Sequence, residues 1–278
     1  MESNAARVER RRLRGGGDLR ELGGLRGGSD PRDLEIAGGG PRVLALHGFG
    51  GTPYEVELVL DSARDLGLGG LAPLLPGHGT HAKRLAATRF PDWADAAESA
   101  LDRVGGPVIL AGFSLGSLLA LHLTQKRPQD IRALILLGNA AWLTAPFPRW
   151  ALMLAERLRL PDFLMPKKGP RMGDDASSLA HMSYDAHPVH AAIEVRRTGE
   201  RIREQLAHVR CPTLILHGAR DRTCPVSNAW RVAERLGCDD CRVVIFPRSR
   251  HVLTRDIERD DVRREIATFL GRFAATSQ

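Results

Sequence analysis

Residues 107–126 read PVILAGFSLGSLLALHLTQK, and no other stretch constrains the fold as much. An unbroken apolar run, Pro107–Phe113, passes without a loop into a helical stretch, Leu115–Lys126. A short run that is apolar on every residue suits a strand buried on both faces. A helix leaving directly from such a strand is the first half of a βαβ crossover. The alternation recurs along the chain. Arg42–His47, Gly70–Leu75, Ile131–Leu137, Pro212–His217 and Arg242–Phe246 are further strand-like runs. Pro53–Leu66, Asp92–Val104, Ser227–Leu236 and Glu258–Phe273 read as helices between and after them, the first with Pro in its first turn. Asp33–Ile36 adds an edge strand. This predicts an α/β fold with a mostly parallel central sheet flanked by helices on both faces. Crossovers in such a sheet are right-handed, and chemistry belongs at the carboxyl ends of its strands.

The rhythm fails in two places. Residues 1–30 are rich in Arg and Gly and lack aromatics, so they cannot offset their ordering entropy and read as a disordered tail. Residues 140–206 separate two core strands and are too long for a plain connection. They hold Trp142 and Trp150, together with Met153, Met165, Met172 and Met182, the four methionines other than Met1. Two readings stay open: an insertion packed ordinarily onto the body, or a small cap lining an apolar pocket, with Trp142 and Met182 as substrate-pocket candidates. The expected organisation is a core of 31–139 and 207–278 with a cap inserted at 140–206.

Composition excludes several classes of function. The net charge is +7, yet residues 1–40 contribute only +1, from eight Arg against seven acids, and the rest is diffuse. A diffuse excess without aromatics along a basic stripe is no phosphate-reading surface, so no nucleic-acid partner is expected. No apolar run nears the ~20 residues that span a bilayer. The basic residues at the start lead into Gly, Asp and Glu rather than an apolar segment, which gives no export signal and a cytoplasmic expectation. Cys238 and Cys241 have CxxC spacing, but no second pair makes a zinc ribbon, and Asp239 and Asp240 between them oppose a low thiol pKa. Cys211, Cys224, Cys238 and Cys241 read as reduced thiols.

Gly112-Phe113-Ser114-Leu115-Gly116 is a GxSxG pattern at a strand-to-helix junction. Such a turn forces the central residue into strained angles and presents its side chain at the top of the sheet. Ser114 is therefore the expected nucleophile. A serine needs a base and the base an orienting carboxylate. His251 follows the strand Arg242–Phe246, and Asp221 follows Pro212–His217. Their chain order, Ser then Asp then His, is that of triads at such an elbow. Asp256 and Asp185 are rival acids, but neither directly follows a core strand. His47-Gly48-Phe49-Gly50-Gly51 follows the first core strand, so the backbone N–H groups of Phe49 and Leu115 are the expected oxyanion donors. His78, His81, His187 and His190 lack accompanying carboxylate or cysteine spacing. They read as loop and surface residues, with His81 at a pocket rim. No metal and no cofactor is expected. Arg196, Arg197, Arg201 and Arg203 read as a solvated helix face, with an acidic substrate group as the alternative.

These segments resemble the α/β-hydrolase superfamily, in particular its bacterial carboxylesterase and monoacylglycerol-lipase branch, over roughly residues 33–275. The loop 47–51, the loop Gly77-His78-Gly79, the elbow 112–116, Asp221 and the segment 251–270 carry the resemblance. It implies an α/β-hydrolase fold whose small cap is inserted after the sixth-strand region, and ester hydrolysis through Ser114, His251 and Asp221. Ser117 departs from the glycine common there. The expectation is a serine carboxylesterase or lipase-like hydrolase of small-molecule acyl esters, short- to medium-chain or monoacylglycerol. Lysophospholipase, amidase or peptidase, and acyltransferase are alternatives on the same machinery. A non-catalytic ligand-binding protein on this scaffold is the alternative of another class.

Overall fold

A computed structural model describes residues 25–26, 31–143, 164–166 and 183–274 of the 278-residue chain. Its centre is a seven-stranded sheet built from β2 (Leu34–Ile36), β3 (Gly39–Leu46), β4 (Leu68–Ala72), β5 (Val108–Phe113), β6 (Ile131–Leu137), β10 (Thr213–Gly218) and β11 (Cys241–Phe246). The spatial order is β11-β10-β6-β5-β3-β4-β2. All neighbours pair in parallel except the edge strand β2, which runs antiparallel to β4. Strands β5 and β10 are buried at every residue, as the continuous apolar runs require.

Helices cover both faces. α1 (Glu57–Asp65) and α7 (Arg259–Ala274) bury residues with one apolar cluster, which includes Val43, Ile109, Ile135 and Leu214. α3 (Phe90–Val104), α4 (Leu115–Lys126) and α5 (Val189–Arg203) bury residues with another, which includes Leu44, Leu110, Leu134 and Ile215. Alternate residues of one strand thus feed opposite layers, because successive side chains leave a strand on opposite faces. α2 (Ala82–Ala86) and α6 (Ser227–Ala233) complete the helices named here.

Three expectations need correction. The strand expected at 70–75 runs from Leu68 to Ala72, because Pro73 has no N–H to continue the ladder. The helix expected from Pro53 is a 3₁₀ turn, Pro53–Glu55, followed by α1, since Val56 leaves helical angles (φ −116°, ψ 6°). The tail expected at 1–30 is not wholly without structure: β1 (Leu25–Arg26) pairs antiparallel with β8 (Ser183–Tyr184). Among the described residues, with β1 counted, β6 is the sixth strand, and the stretch 140–206 follows it in the chain. Within that stretch β7 (Leu164–Pro166) pairs with β9 (Ala186–Pro188), and α5 packs on α4, where Gln125 Nε2 donates to the Ile202 carbonyl. Met153, Met172, Met182 and Trp150 lie outside the described residues. Among the described residues, no helix is long and apolar enough to cross a membrane.

Candidate active site

Ser114 is the residue between β5 and α4, at φ 52°, ψ −113°. It is the one non-glycine residue with positive φ among those described. That strain is held by packing too tight for side chains. A Cβ on Gly112 would strike the Gly116 backbone, and one on Gly116 would strike the Leu46 carbonyl. The Ser114 N–H is fixed to the Leu137 carbonyl at 3.0 Å. Ser117, the departure noted above, has a task. Its buried hydroxyl donates to the Ser114 carbonyl (2.5 Å) and accepts from the Ala140 N–H (3.1 Å), tying the elbow to the end of β6.

His251 and Asp221 arrive from the loops after β11 and β10. His251 Nδ1 lies 2.6 Å from Asp221 Oδ2, and its Nε2 lies 3.0 Å from Ser114 Oγ. A carboxylate only accepts, so Nδ1 is the donor and Nε2 is left to accept from the serine hydroxyl. Asp221 Oδ1 accepts from the Thr223 and Cys224 N–H groups at 2.7 and 2.9 Å. Burial works to raise the Asp221 carboxyl, but the charge of His251 and hydrogen bonds from His217 and His251 outweigh it. The carboxyl is thereby held well below the usual range. The side chains of Asp221 and His251 are almost wholly buried, at 0% and 4% exposure.

The loop carrying His251 is braced by two carboxylates. Glu258 Oε2 accepts from the N–H groups of Arg248 and Ser249 and from the Ser249 hydroxyl. Asp256, the rival acid, accepts from the Arg250 N–H at 2.6 Å and so holds the loop rather than the imidazole. Beyond His251, Thr254 Oγ1 donates to the Glu55 carbonyl at 2.6 Å, and Arg255 donates to the Tyr54 carbonyl.

Leu115 opens α4, so its N–H has no partner within the helix. On the opposite side, Phe49 lies in the loop after β3. Buried Glu55 supports this loop: its Oε2 accepts from the Gly48 N–H at 2.8 Å, and its carboxylate fills the space a Cβ on Gly51 would need. Phe49 stacks on His187 with ring centroids 5.0 Å apart. The Tyr184 N–H donates to the Gly50 carbonyl, so β8 also pins the loop.

A strained serine on an elbow, backed by imidazole and buried carboxylate, invites comparison with known proteins. The family model described as serine aminopeptidase S33 (Hydrolase_4) matches residues 41–258. The chain belongs to this family. It is a hydrolase of the α/β-hydrolase superfamily. A thermostable monoacylglycerol lipase from Bacillus sp. (strain H-257) is 27% identical over 84% of this chain and 91% of its own length. A carboxylesterase from Bacillus subtilis (strain 168) is 22% identical over 83% and 92%. Among solved structures, one reported for LipS and LipT, two metagenome-derived lipolytic enzymes, matches 89% of this chain and 100% of its own. Its TM-score is 0.80, at 21% identity. The monoacylglycerol lipase of Paleococcus ferrophilus matches 87% and 98%, with a TM-score of 0.75 at 20% identity. At that identity the structures show the shared fold.

Several histidines of this α/β-hydrolase differ from their sequence reading. His78 is buried, not a surface residue. It meets His47 edge to face, with centroids 4.9 Å apart, and stacks with Tyr184 at 6.5 Å. Desolvation, with the neighbouring charge of His47 second, lowers its pKa to about 3. His187 is half-buried against Phe49. His81 caps α2 by accepting from the Lys83 N–H. His217 and Glu55 were not singled out in the sequence, yet each touches the machinery. The Trp142 ring faces guanidinium groups, with Arg231 at 3.8 Å, Arg203 at 5.0 Å and Arg235 at 5.6 Å. Its described contacts do not reach Ser114. Met182 lies outside the described residues. The basic run is only partly a solvated face, because Arg203 also donates to the Ala141 carbonyl. Burial pushes the Cys211 thiol up to about 11 and Cys241 to about 12, each with help from the charge of Cys238. Asp221, Cys224 and His251 offer three potential metal ligands within 4.8 Å, but the Asp221 and His251 atoms are already bonded to each other.

Proposed function

We propose that this hydrolase cleaves carboxyl esters of short- to medium-chain acids or monoacylglycerol, with Ser114 as nucleophile, His251 as base and Asp221 as its orienting acid. The observation that carries the reading is the unbroken contact chain from Ser114 Oγ to His251 Nε2, and from His251 Nδ1 to Asp221 Oδ2, at 3.0 and 2.6 Å. Ser114 Oγ attacks the ester carbonyl carbon while its proton passes to His251 Nε2. The tetrahedral oxyanion is held by the Phe49 and Leu115 N–H groups, each such donor being worth about 2.7–4 kcal/mol. Collapse breaks the bond to the alkoxide, which takes the proton from His251 and leaves as alcohol. Water, deprotonated by His251, then attacks the acyl-enzyme and frees the acid and Ser114. The relatives' printed activities support ester substrates, since one is a monoacylglycerol lipase and another a carboxylesterase. We place the cap at 140–206 over the strand ends, where the described part of that stretch already holds Gly50 through Tyr184.

The test uses a p-nitrophenyl ester series from acetate to decanoate, 1-monoacylglycerols, and an aminoacyl p-nitroanilide. Wild type turns over the esters faster than the anilide and takes a fluorophosphonate label at Ser114. Ser114→Ala loses both label and turnover, by about 10⁶-fold in kcat. Ester turnover that survives in Ser114→Ala removes the mechanism, and a preference for the anilide removes the substrate class.

A further inference from the structure

Asp221 Oδ2 faces a second histidine. His217, the fifth residue of β10, is completely buried, and its Nε2 lies 3.3 Å from Asp221 Oδ2 and 3.1 Å from the Cys224 carbonyl. Both neighbours are acceptors, so Nε2 carries the proton. Its Nδ1 is buried and has no hydrogen-bond partner. A proton there would be a buried donor with nothing to receive it, so the Nε2–H tautomer is the one that fits this site. The carboxylate thus gathers four donors: the Thr223 and Cys224 amides on Oδ1, and His251 and His217 on Oδ2.

We propose that His217 is a positioning residue of the triad: its Nε2–H, anchored between the Cys224 carbonyl and Asp221 Oδ2, fixes the carboxylate against His251 and takes up part of its charge. The inference rests on the Ser114–His251–Asp221 reading and deepens it. A carboxylate that shares its charge with a neutral donor attracts an imidazolium less strongly. His217 therefore keeps His251 unprotonated to lower pH than Asp221 alone would allow. Other ionisable groups stand close. Arg220 and Arg222 flank Asp221, and the Cys224 thiol lies on the same loop. Arg250 precedes His251, Asp256 and Glu258 brace its loop, and Ser114 faces it from the elbow. All remain when only His217 is replaced.

The experiment is the pH profile of kcat/KM for p-nitrophenyl butyrate in wild type, His217→Gln and His217→Met. The glutamine amide can return a donor near the Nε2 position; methionine fills the space without one. The acid limb of His217→Met moves up by about half to one pH unit, with kcat falling more than KM changes, and His217→Gln stays close to wild type. A merely structural histidine would lower the melting temperature and total activity with the limb in place. An unmoved limb in His217→Met, or an equal shift in His217→Gln, overturns the proposal. If His217→Met does not fold, His217→Asn takes its place, because its amide stops short of Asp221 and the same shift is expected. Ser114→Ala run alongside separates the two failures. If it is inert and labelling is lost while the limb stays put, only the role of His217 fails; if it is active, the triad reading fails first.

Discussion

On one side of β5, His47 and His78 meet edge to face at 4.9 Å; on the other, His217 and His251 share one oxygen of Asp221. All four imidazoles are at least nine-tenths buried. The first pair meets neighbouring rings, backbone and each other. His47 Nδ1 donates to the Gly48 carbonyl while its Nε2 accepts from the Leu75 N–H, and His78 Nδ1 donates to the Pro76 carbonyl. Desolvation keeps both neutral. The second pair meets a carboxylate, which gives one imidazole the means to accept a proton from serine and still be charged. Burial alone makes a histidine an architectural polar residue; burial against a carboxylate with the second ring nitrogen turned to a serine hydroxyl, as in His251 and not in His217, is the arrangement that suits a base.

The comparison can be broken first at the carboxylate. In Asp221→Asn the amide can offer a donor to Nδ1, so His251 presents the wrong tautomer to Ser114, and kcat for p-nitrophenyl butyrate falls about 10⁴-fold. An activity within tenfold of wild type would mean that another group orients His251. A smaller effect is expected on the neutral side. Glu55→Ala leaves the buried Gly48 N–H unpaired, which costs about 1–3 kcal/mol, and loosens the loop bearing Phe49, whose N–H is the proposed oxyanion donor. The expected result is about a tenfold loss in kcat with KM little changed, largely restored in Glu55→Gln, which keeps an acceptor. Equal losses in the two variants would show that charge rather than the hydrogen bond is what the loop needs.

The smallest effect is on stability rather than rate. The His78 pKa is about 3 in the folded chain against about 6.5 unfolded, so the unfolded state binds the extra proton between those values. Stability is then whole above about pH 6.5 and is lost as the pH falls toward 3, by about 2 kcal/mol at pH 5. His78→Phe removes this contribution. Denaturant unfolding at pH 7.5 and pH 5 measures the gap, which narrows in the variant by about that amount. An unchanged gap would mean that His78 takes up its proton in the folded state.

Much of this arrangement was legible in the residues. Parallel strands announce themselves as continuous apolar runs, and the bounds of Leu115–Lys126 and Ile131–Leu137 follow from the pattern itself. The elbow was readable because glycine is demanded on both sides of the strained serine, and Asp221 because it follows its strand directly. What stayed hidden depends on neighbours distant in sequence. Thr52 to Glu55 has the spacing of a helix-capping box, which points a carboxylate at a helix start. Here the Thr52 side chain makes no cap hydrogen bond, and Glu55 reaches back to Gly48 instead. His78 in a glycine-flanked loop has nothing local to mark it as buried. His217 left one trace, a polar residue inside an apolar run four positions before the acid. Leu25–Arg26 left none, since two residues carry no periodicity.

The links from Thr254 and Arg255 to the carbonyls of Glu55 and Tyr54 act as a strut between the wall that carries His251 and the wall that carries Phe49. Walls joined in this way travel together. Room beside Ser114 cannot come from prising them apart without breaking a buried bond, so it has to come from elements outside the strut, such as the β8 segment that holds Gly50 through Tyr184. Sequence change outside the strut can therefore alter the surroundings of Ser114 while the spacing of the two walls stays fixed.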